Sequence, residues 1–270
     1  MKRAAVLGSP IQHSLSPTIH NAAYQKLGIA ASYEAHEVDS ASLSSFLTGY
    51  LAQQDWLGFS LTMPLKEKIC EIAKDLNLVL DAQSLRISSA NTLYREDGTW
   101  KGTSTDVTGF SYLLKPFSFE EVTIIGAGGT ARAALEAIDE KCVVRIVRRD
   151  QAREEGIRAA FSNRDISFIE WKDVAEAWTS PLVVLAVPID AETKIVPSFS
   201  PPDVLLDAVY SPWLPPLSKL QIDSGKKLIS GVELLCAQAL DQIRLMTSAT
   251  FDSDDLFDFL KTTAKRALTK

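Results

Sequence analysis

The segment Glu121-Val122-Thr123-Ile124-Ile125 ends abruptly in Gly126-Ala127-Gly128-Gly129, and a helix-forming stretch from Ala131 to Ile138 follows at once. A β-branched run favours a strand, glycines permit a tight turn, and alanine-rich sequence favours a helix. A strand turning directly into a helix restricts the chain to βαβ architecture, because the next parallel strand is reached by a helical crossover. Glycines in that turn also let the backbone approach a pyrophosphate, while the helix N-terminus offers unpaired N–H groups and a favourable dipole. Ala133 stands where a third glycine would usually allow the helix to pack closely on the strand. The pattern points to a dinucleotide site, the alternative being a glycine turn that binds nothing.

The flanking sequence repeats the alternation. Cys142 to Val147, Pro181 to Val187 and Val204 to Val209 read as strands, and Gln151 to Phe161 as a helix. An earlier series stands before them: strands from Ala4 to Gly8, Ser32 to Val38 and Trp56 to Leu61, with helices from Ser16 to Leu27, from Ala41 to Gln53 and after Pro64. Ser16-Pro17 reads as a cap followed by the first helical residue, and Gly28 as the stop. Short connections imply mainly parallel sheets covered on both faces. Val232 to Met246 and Asp252 to Leu268 are amphipathic and helical, with Ser253 as the cap of the second. At 270 residues and 46% hydrophobic, the chain is long enough for one large domain or two modest ones and can bury a sizeable core.

Charge and cysteine usage narrow the function. A net charge of −6 argues against a general nucleic-acid binder, which needs a basic surface. Cys70, Cys142 and Cys236 are far apart and show neither zinc nor disulfide spacing. His13, His20 and His36 show no metal spacing, so no metal is expected. Trp56, Trp100, Trp171, Trp178 and Trp213 read as packing residues, and Asp252-x-Asp254-Asp255 as a complement to a helix dipole rather than a calcium loop. The apolar run after Met1-Lys2-Arg3 is too short for a signal peptide, and no stretch is long enough to span a bilayer. A cytoplasmic protein without membrane contact is expected.

The strand ending Val147-Arg148-Arg149-Asp150 bears on the coenzyme. An NAD enzyme usually places an acidic residue there for the ribose 2′-hydroxyl. Arg148, Arg149 and, one turn later, Arg153 instead suit a 2′-phosphate, because guanidinium forks match phosphate oxygens. Asp150 keeps NAD as the alternative. Further polar residues cluster at element ends: Ser14 and Ser16 before a helix, Thr62 and Lys66 after the third strand, and Asn91, Thr92 and Asp106 beyond. Ligands in parallel α/β sheets gather at the carboxyl ends of strands.

Taken in order, these motifs resemble the shikimate dehydrogenase family over nearly the whole chain. They are Gly8-Ser9-Pro10-Ile11-Gln12-His13-Ser14-Leu15-Ser16-Pro17-x-x-His20-Asn21, Leu61-Thr62-Met63-Pro64-Leu65-Lys66, Ser89-Ala90-Asn91-Thr92, Thr105-Asp106-x-x-Gly109, Gly126-Ala127-Gly128-Gly129-x-Ala131, Asp207-x-x-Tyr210-x-Pro212, Pro216-Leu217 and Gly231-x-x-x-Leu235-x-x-Gln238. The sequence departs from the family where Ser60, Ser104, Arg148-Arg149-Asp150 and Leu185-Ala186-Val187-Pro188 replace the more usual residues. The last two departures bear on the coenzyme wall.

The resemblance implies an α/β fold of two domains: a substrate domain over residues 1–104, completed by C-terminal helices over 231–270, and a Rossmann-type NADP domain over 105–230, with a cleft between them. It implies reversible NADPH-dependent reduction of 3-dehydroshikimate to shikimate, in the pathway to chorismate and the aromatic amino acids. Lys66 and Asp106 would be the catalytic pair, because a lysine can give or take a proton and a neighbouring carboxylate orients it. Ser14 and Ser16, helped by Tyr210, would hold the substrate carboxylate, and Thr62, Asn91, Asp106 and Gln238 the ring hydroxyls. The expected coenzyme site comprises Gly126, Ala127, Gly128, Gly129, Thr130, Ala131, Arg148, Arg149, Arg153, Ala186, Val187, Pro188, Val209 and Gly231. The family includes monomers and homodimers. The rival readings are a quinate or aminoshikimate dehydrogenase using NAD, a non-catalytic sensor of shikimate or quinate, and a methylenetetrahydrofolate dehydrogenase. Retention of Lys66 and Asp106 speaks against the sensor, and Ser14 with Ser16 against the folate enzyme.

Overall fold

Alternating strands and helices build two units in the computed structural model, which describes residues 1–269. One unit comprises residues 1–109 and those from 235 onward; the other comprises 110–234. The first holds β1 (Lys2–Gly8), α1 (Ser16–Leu27), β2 (Ala31–Glu37), α2 (Leu43–Tyr50), β3 (Trp56–Leu61), α3 (Leu65–Ile72), β4 (Val79–Leu80), α4 (Ala82–Ile87), β5 (Thr92–Glu96) and β6 (Thr99–Thr103). The chain leaves that unit within α5 (Thr105–Leu114). The second holds β7 (Glu121–Ile125), α6 (Gly129–Ala137), β8 (Val143–Arg148), α7 (Arg153–Ala160), β9 (Ile166–Glu170), β10 (Leu182–Leu185), α8 (Ile189–Ile195), β11 (Val204–Asp207), α9 (Pro216–Asp223) and β12 (Lys227–Ile229). The chain returns within α10 (Gly231–Thr247) and closes with α11 (Ser253–Leu268).

The sheet of the first unit runs β2-β1-β3-β5-β6-β4. Its pairs are parallel except around β5, which is antiparallel to both β3 and β6. The hairpin β5–β6 is a departure from the parallel expectation. Its connection is Asp97-Gly98, with φ of 51° and 78°, and Glu96 pairs with Thr99 across it. Positive φ at both turn residues is the primed geometry that matches strand twist. The core under this sheet stacks Phe59 on Trp56 and Trp100, with ring centroids 4.7 and 5.8 Å apart. Trp100 is not stranded there, since its indole N–H donates to the Leu51 carbonyl at 2.8 Å. Helix α11 packs on α1, where Lys26 pairs with Asp255 at 3.1 Å and lies over the Phe259 ring.

The second unit's sheet runs β12-β11-β10-β7-β8-β9, all parallel. Counted from its own first strand, that is the 3-2-1-4-5-6 order of the dinucleotide-binding Rossmann fold, whose direction reverses between β7 and β10. Strands β7 and β10 are sealed between helices, with Leu182, Val183, Val184 and Leu185 all fully buried. Such continuous apolar runs are what a doubly covered parallel sheet needs.

Two caps differ from expectation. Ser16 lies inside the first turn of α1 and makes no side-chain cap, because the Leu15 carbonyl accepts the Ile19 N–H at 3.1 Å. The hydroxyl that takes a backbone N–H here is Ser14's, which accepts from Ser16 at 3.3 Å. For α11 the cap is Asp252, whose carboxylate accepts the Asp255 N–H at 2.9 Å. Ser253 instead accepts from Arg244 at 2.5 Å. A carboxylate three residues ahead of the open N–H is the stronger partner for the positive helix end.

Candidate active site

Antiparallel β5 brings distant polar residues to one edge of the first sheet. Ser60 near the end of β3 pairs with Thr92 at the start of β5, and Thr92 pairs with Thr103 at the end of β6. One strand beginning therefore lies beside two strand ends. Asn91 immediately precedes β5, and Asp106 is in the first turn of α5 just past β6. Lys66, in the first turn of α3, reaches the same edge because the Ala90 N–H donates to its carbonyl at 2.9 Å.

The side chains close on one another there. The Lys66 ammonium donates to Asp106 Oδ2 at 2.6 Å. Asp106 is 1% exposed and Lys66 16%, so the pair is drawn well out of water with the lysine on the open side. A buried ion pair needs its remaining lone pairs satisfied. Asn91 does this, donating to Asp106 Oδ1 at 3.0 Å and to Gln238 Oε1 at 2.7 Å. Asn91 Oδ1 in turn accepts the Thr105 N–H at 2.7 Å and stands 2.9 Å from Thr92 Oγ1. Gln238 comes in on α10, which approaches α5 closely at Gly109. A Cβ on Gly109 would stand 3.0 Å from the Gln238 nitrogen, tighter than ordinary packing.

Lys66, Asp106, Asn91 and Gln238 are thus joined in one hydrogen-bonded cluster. Thr62 follows β3, half-buried, its N–H bonded to the Leu7 carbonyl at 2.9 Å. Ser14 and Ser16 are tied to each other as described. The sequence assigns no site role to Thr105 or Gln242, and shows of His20 only that it lacks metal spacing. Gln242 lies one helical turn beyond Gln238, so helical spacing was the available signal.

In the second unit the groups at the glycine turn are mostly backbone. Gly126 has φ of 122°, and its N–H donates to the Val147 carbonyl at 2.9 Å. A Cβ there would lie 2.5 Å from the Ala186 carbonyl oxygen. Only glycine satisfies both conditions. Gly128 flanks α6, which starts at Gly129 with Thr130 and Ala131 in its first turn. Ala133 is fully buried, so the expected close helix packing is met by its small side chain. Ala186, Val187 and Pro188 continue from β10 beside this turn, with Ala186 donating to Ile125 at 2.8 Å.

At the end of β8 the basic residues separate. Arg148 is bonded to Glu154 at 2.6 Å, both largely buried. Arg149 is exposed and lies over the Trp171 ring, 5.6 Å from its centroid. Arg153 reaches back to the Ala127 carbonyl of the glycine turn at 3.3 Å. Asp150 turns its carboxylate to the Ala152 N–H at 2.9 Å. Asp207, at the end of β11, accepts from the Val209 N–H at 2.9 Å and from the Ser218 hydroxyl at 2.7 Å. Burial and the nearby Glu192 carboxylate push its pKa up to about 7. The Asp207–Val209 bond fixes the segment that leads into Tyr210, and Gly231 lies against the Val209 carbonyl. Among the described residues, no group of His, Cys, Asp and Glu could hold a metal ion, and no helix is long and apolar enough to cross a membrane.

Comparison with known proteins gives a consistent set of relatives. Residues 6–93 match the family described as the shikimate dehydrogenase substrate binding domain. The shikimate dehydrogenase (NADP(+)) of Methylocella silvestris is 33% identical, over 88% of this chain and 87% of its own. The pentafunctional AROM polypeptide of Yarrowia lipolytica is 31% identical over 90% of this chain, which spans 16% of that much longer protein. In three dimensions, the crystal structure of Mycobacterium tuberculosis shikimate dehydrogenase is similar with a TM-score of 0.84 at 30% identity, covering 98% of this chain and 100% of that one.

Proposed function

The chain belongs to the shikimate dehydrogenase family, and from that premise we propose that it interconverts 3-dehydroshikimate and shikimate with NADP as coenzyme. The observation that carries the proposal is the buried Lys66–Asp106 pair, locked by Asn91. We read residues 1–104 with 231–270 as the substrate domain and 105–230 as the NADP domain.

The coenzyme fits the residues present. With no side chain, Gly126 lets the turn pack against the Ala186 carbonyl, and the first turn of α6 presents its N–H groups just beyond. These features favour a pyrophosphate. Arg149, and Arg153 beside the turn, suit the 2′-phosphate, while Asp150 is engaged with the backbone. When bound, NADPH supplies the hydride that reduces the substrate carbonyl.

The protein's own residues then manage oxygen and charge. The Lys66 ammonium stands on the open side of the ion pair, placed to hold a proton at the substrate oxygen that gains or loses it. Asp106 fixes the direction of that ammonium and accepts from a ring hydroxyl. Asn91 and Gln238 complete the polar wall, and Thr62 borders it. Ser14 and Ser16 hold the carboxylate at the start of α1. A site of this kind rejects analogues lacking a hydroxyl, because its buried polar groups would be left without partners. The protein is assigned to the cytoplasm, acting on a small molecule as a monomer or homodimer.

The test is a steady-state oxidation assay with shikimate and with quinate, each with NADP+ and NAD+. The expected result is highest kcat/KM for shikimate with NADP+. A preference for quinate with NAD+ would overturn both substrate and coenzyme.

A further inference from the structure

Asn91 stands between two groups whose polarity cannot reverse. The Asp106 carboxylate only accepts, and the Thr105 backbone N–H only donates. Asn91 must therefore show Nδ2 to Asp106 and Oδ1 to Thr105, as it does at 3.0 and 2.7 Å. Its second N–H needs an acceptor and finds Gln238 Oε1. The same oxygen lies 3.4 Å from Gln242 Nε2, which also donates to Thr92 Oγ1 at 3.3 Å. Turned this way, Gln242 presents Oε1 to His20 Nε2 at 3.1 Å and to Ser60 Oγ at 3.3 Å. Both must donate to it. The fixed polarity of Asp106 thus propagates through three amides and requires His20 to carry its proton on Nε2.

The surroundings agree with that assignment. His20 is fully buried and stacked on Tyr33 at 4.0 Å between ring centroids. Burial lowers its pKa to about 3, so the ring is neutral. Its Nδ1 is buried without a hydrogen-bond partner, in keeping with a bare lone pair rather than an N–H. Gln242 is itself 4% exposed and stands one helical turn behind Gln238, with its polar atoms bonded to protein groups.

We infer that Gln242 is a positioning residue, anchored by His20 and Ser60, that holds the Gln238 amide with its N–H groups available to the substrate. This rests on the reading that Gln238 meets a ring hydroxyl. With Oε1 bonded to both Asn91 and Gln242, Gln238 has only donors left to offer. A ring hydroxyl has one proton, and when that proton goes to Asp106 only its lone pairs remain for Gln238. A donor there binds; a carbonyl oxygen there repels. Gln242 thereby contributes to specificity from behind the site.

The experiment compares Gln242→Glu, Gln242→Met, Gln238→Ala and the double variant Gln238→Ala/Gln242→Glu, with folding checked by circular dichroism. Glutamate offers Gln238 only oxygens, so one donor to Gln238 Oε1 is lost and the carboxylate pulls the amide against its remaining bond to Asn91. The expected result is a rise in KM for shikimate of about tenfold to a hundredfold with a smaller change in kcat, the worth of one buried hydrogen bond. Gln242→Met, which neither donates nor accepts, gives a smaller rise and serves if the glutamate variant does not fold. In the Gln238→Ala background, Gln242→Glu adds nothing. Nitrogen-15 NMR of the wild-type protein shows His20 as the Nε2–H tautomer. Additive effects in the double variant, unchanged KM in a folded Gln242 variant, or an Nδ1–H tautomer would overturn the inference. A wild-type protein inactive on shikimate would instead overturn the functional reading, and the tautomer would still decide the orientation.

Discussion

Asn91 and Gly126 each stand at a strand end, and they are held by opposite means. Asn91 is fully buried and its amide is bonded on both sides, to Asp106, Gln238 and Thr105. Gly126 contributes no side chain at all; its backbone, at φ 122°, fills a space bounded by the Ala186 carbonyl. The first unit arranges side chains by means of other side chains, so its vulnerability is chemical. The second arranges backbone by close packing, so its vulnerability is steric. A substitution that keeps shape but changes polarity should damage the first, and one that adds a single carbon should damage the second.

The largest expected effect tests the chemical side. Lys66→Ala should lower kcat by about 10²–10⁴-fold, the usual worth of positioned acid–base catalysis, in steady-state shikimate oxidation with NADP+. An unchanged kcat in folded protein would remove Lys66 from the reaction. Next, Gly126→Ala tests the steric side. Strain and overlap with Ala186 should cost about 1–3 kcal/mol, read by chemical denaturation, and should weaken NADP binding more than shikimate binding. Equal loss of both ligands would mean that the damage is general.

Smaller again is Arg149→Ala, expected to raise KM for NADP+ by about tenfold, on the order of one charge-assisted hydrogen bond, with little change for NAD+. Loss of both coenzymes alike would place Arg149 away from the 2′-phosphate. A further measurement separates the units by pH. His20 has its pKa lowered to about 3 from an ordinary 6.5, so the stability it contributes is present above 6.5 and is lost as pH falls toward 3. Asp207 has its pKa raised from 3.8 to about 7, so its contribution is present below 3.8 and is lost as pH rises through 7. Urea unfolding across this range should show His20→Asn flattening the acid side and Asp207→Asn flattening the neutral side. Slopes unchanged in both variants would show that neither group titrates on unfolding.

The contrast between the units also explains what the sequence disclosed. Strands β3 and β7 are legible to the residue, because apolar runs bounded by turn residues are local signals. The glycine turn was legible for the same reason. The β5–β6 hairpin was overlooked although Asp97-Gly98 advertises it; Arg95 and Lys101 near the turn dilute the alternation. The cap of α1 was misread because Pro17 drew the helix start to Ser16, whereas the Leu15 carbonyl begins the bonding. Lys66, Asn91 and Asp106 were singled out by ordered motifs, but nothing local tells that antiparallel β5 gathers them at one edge. Helical spacing can set Gln242 beside Gln238, but the bonds that give Gln242 and Thr105 their part run through space to Thr92 and Asn91 and leave no local trace.

Arg148 carries a lesson for redesign. It is the first arginine at the strand end and so the obvious handle for altering coenzyme choice. Its guanidinium is bonded to Glu154 at 2.6 Å, with both side chains mostly out of solvent. Replacing it would take from Glu154 its closest partner, leaving Arg158 at 3.8 Å, and so would disturb stability as well as coenzyme choice. Arg149, one residue on, rests on an aromatic face that many other side chains could equally cover. A combinatorial library that varies position 149 and leaves 148 alone would sample recognition without sampling collapse. The two adjacent arginines, alike on paper, are a keystone and a dial.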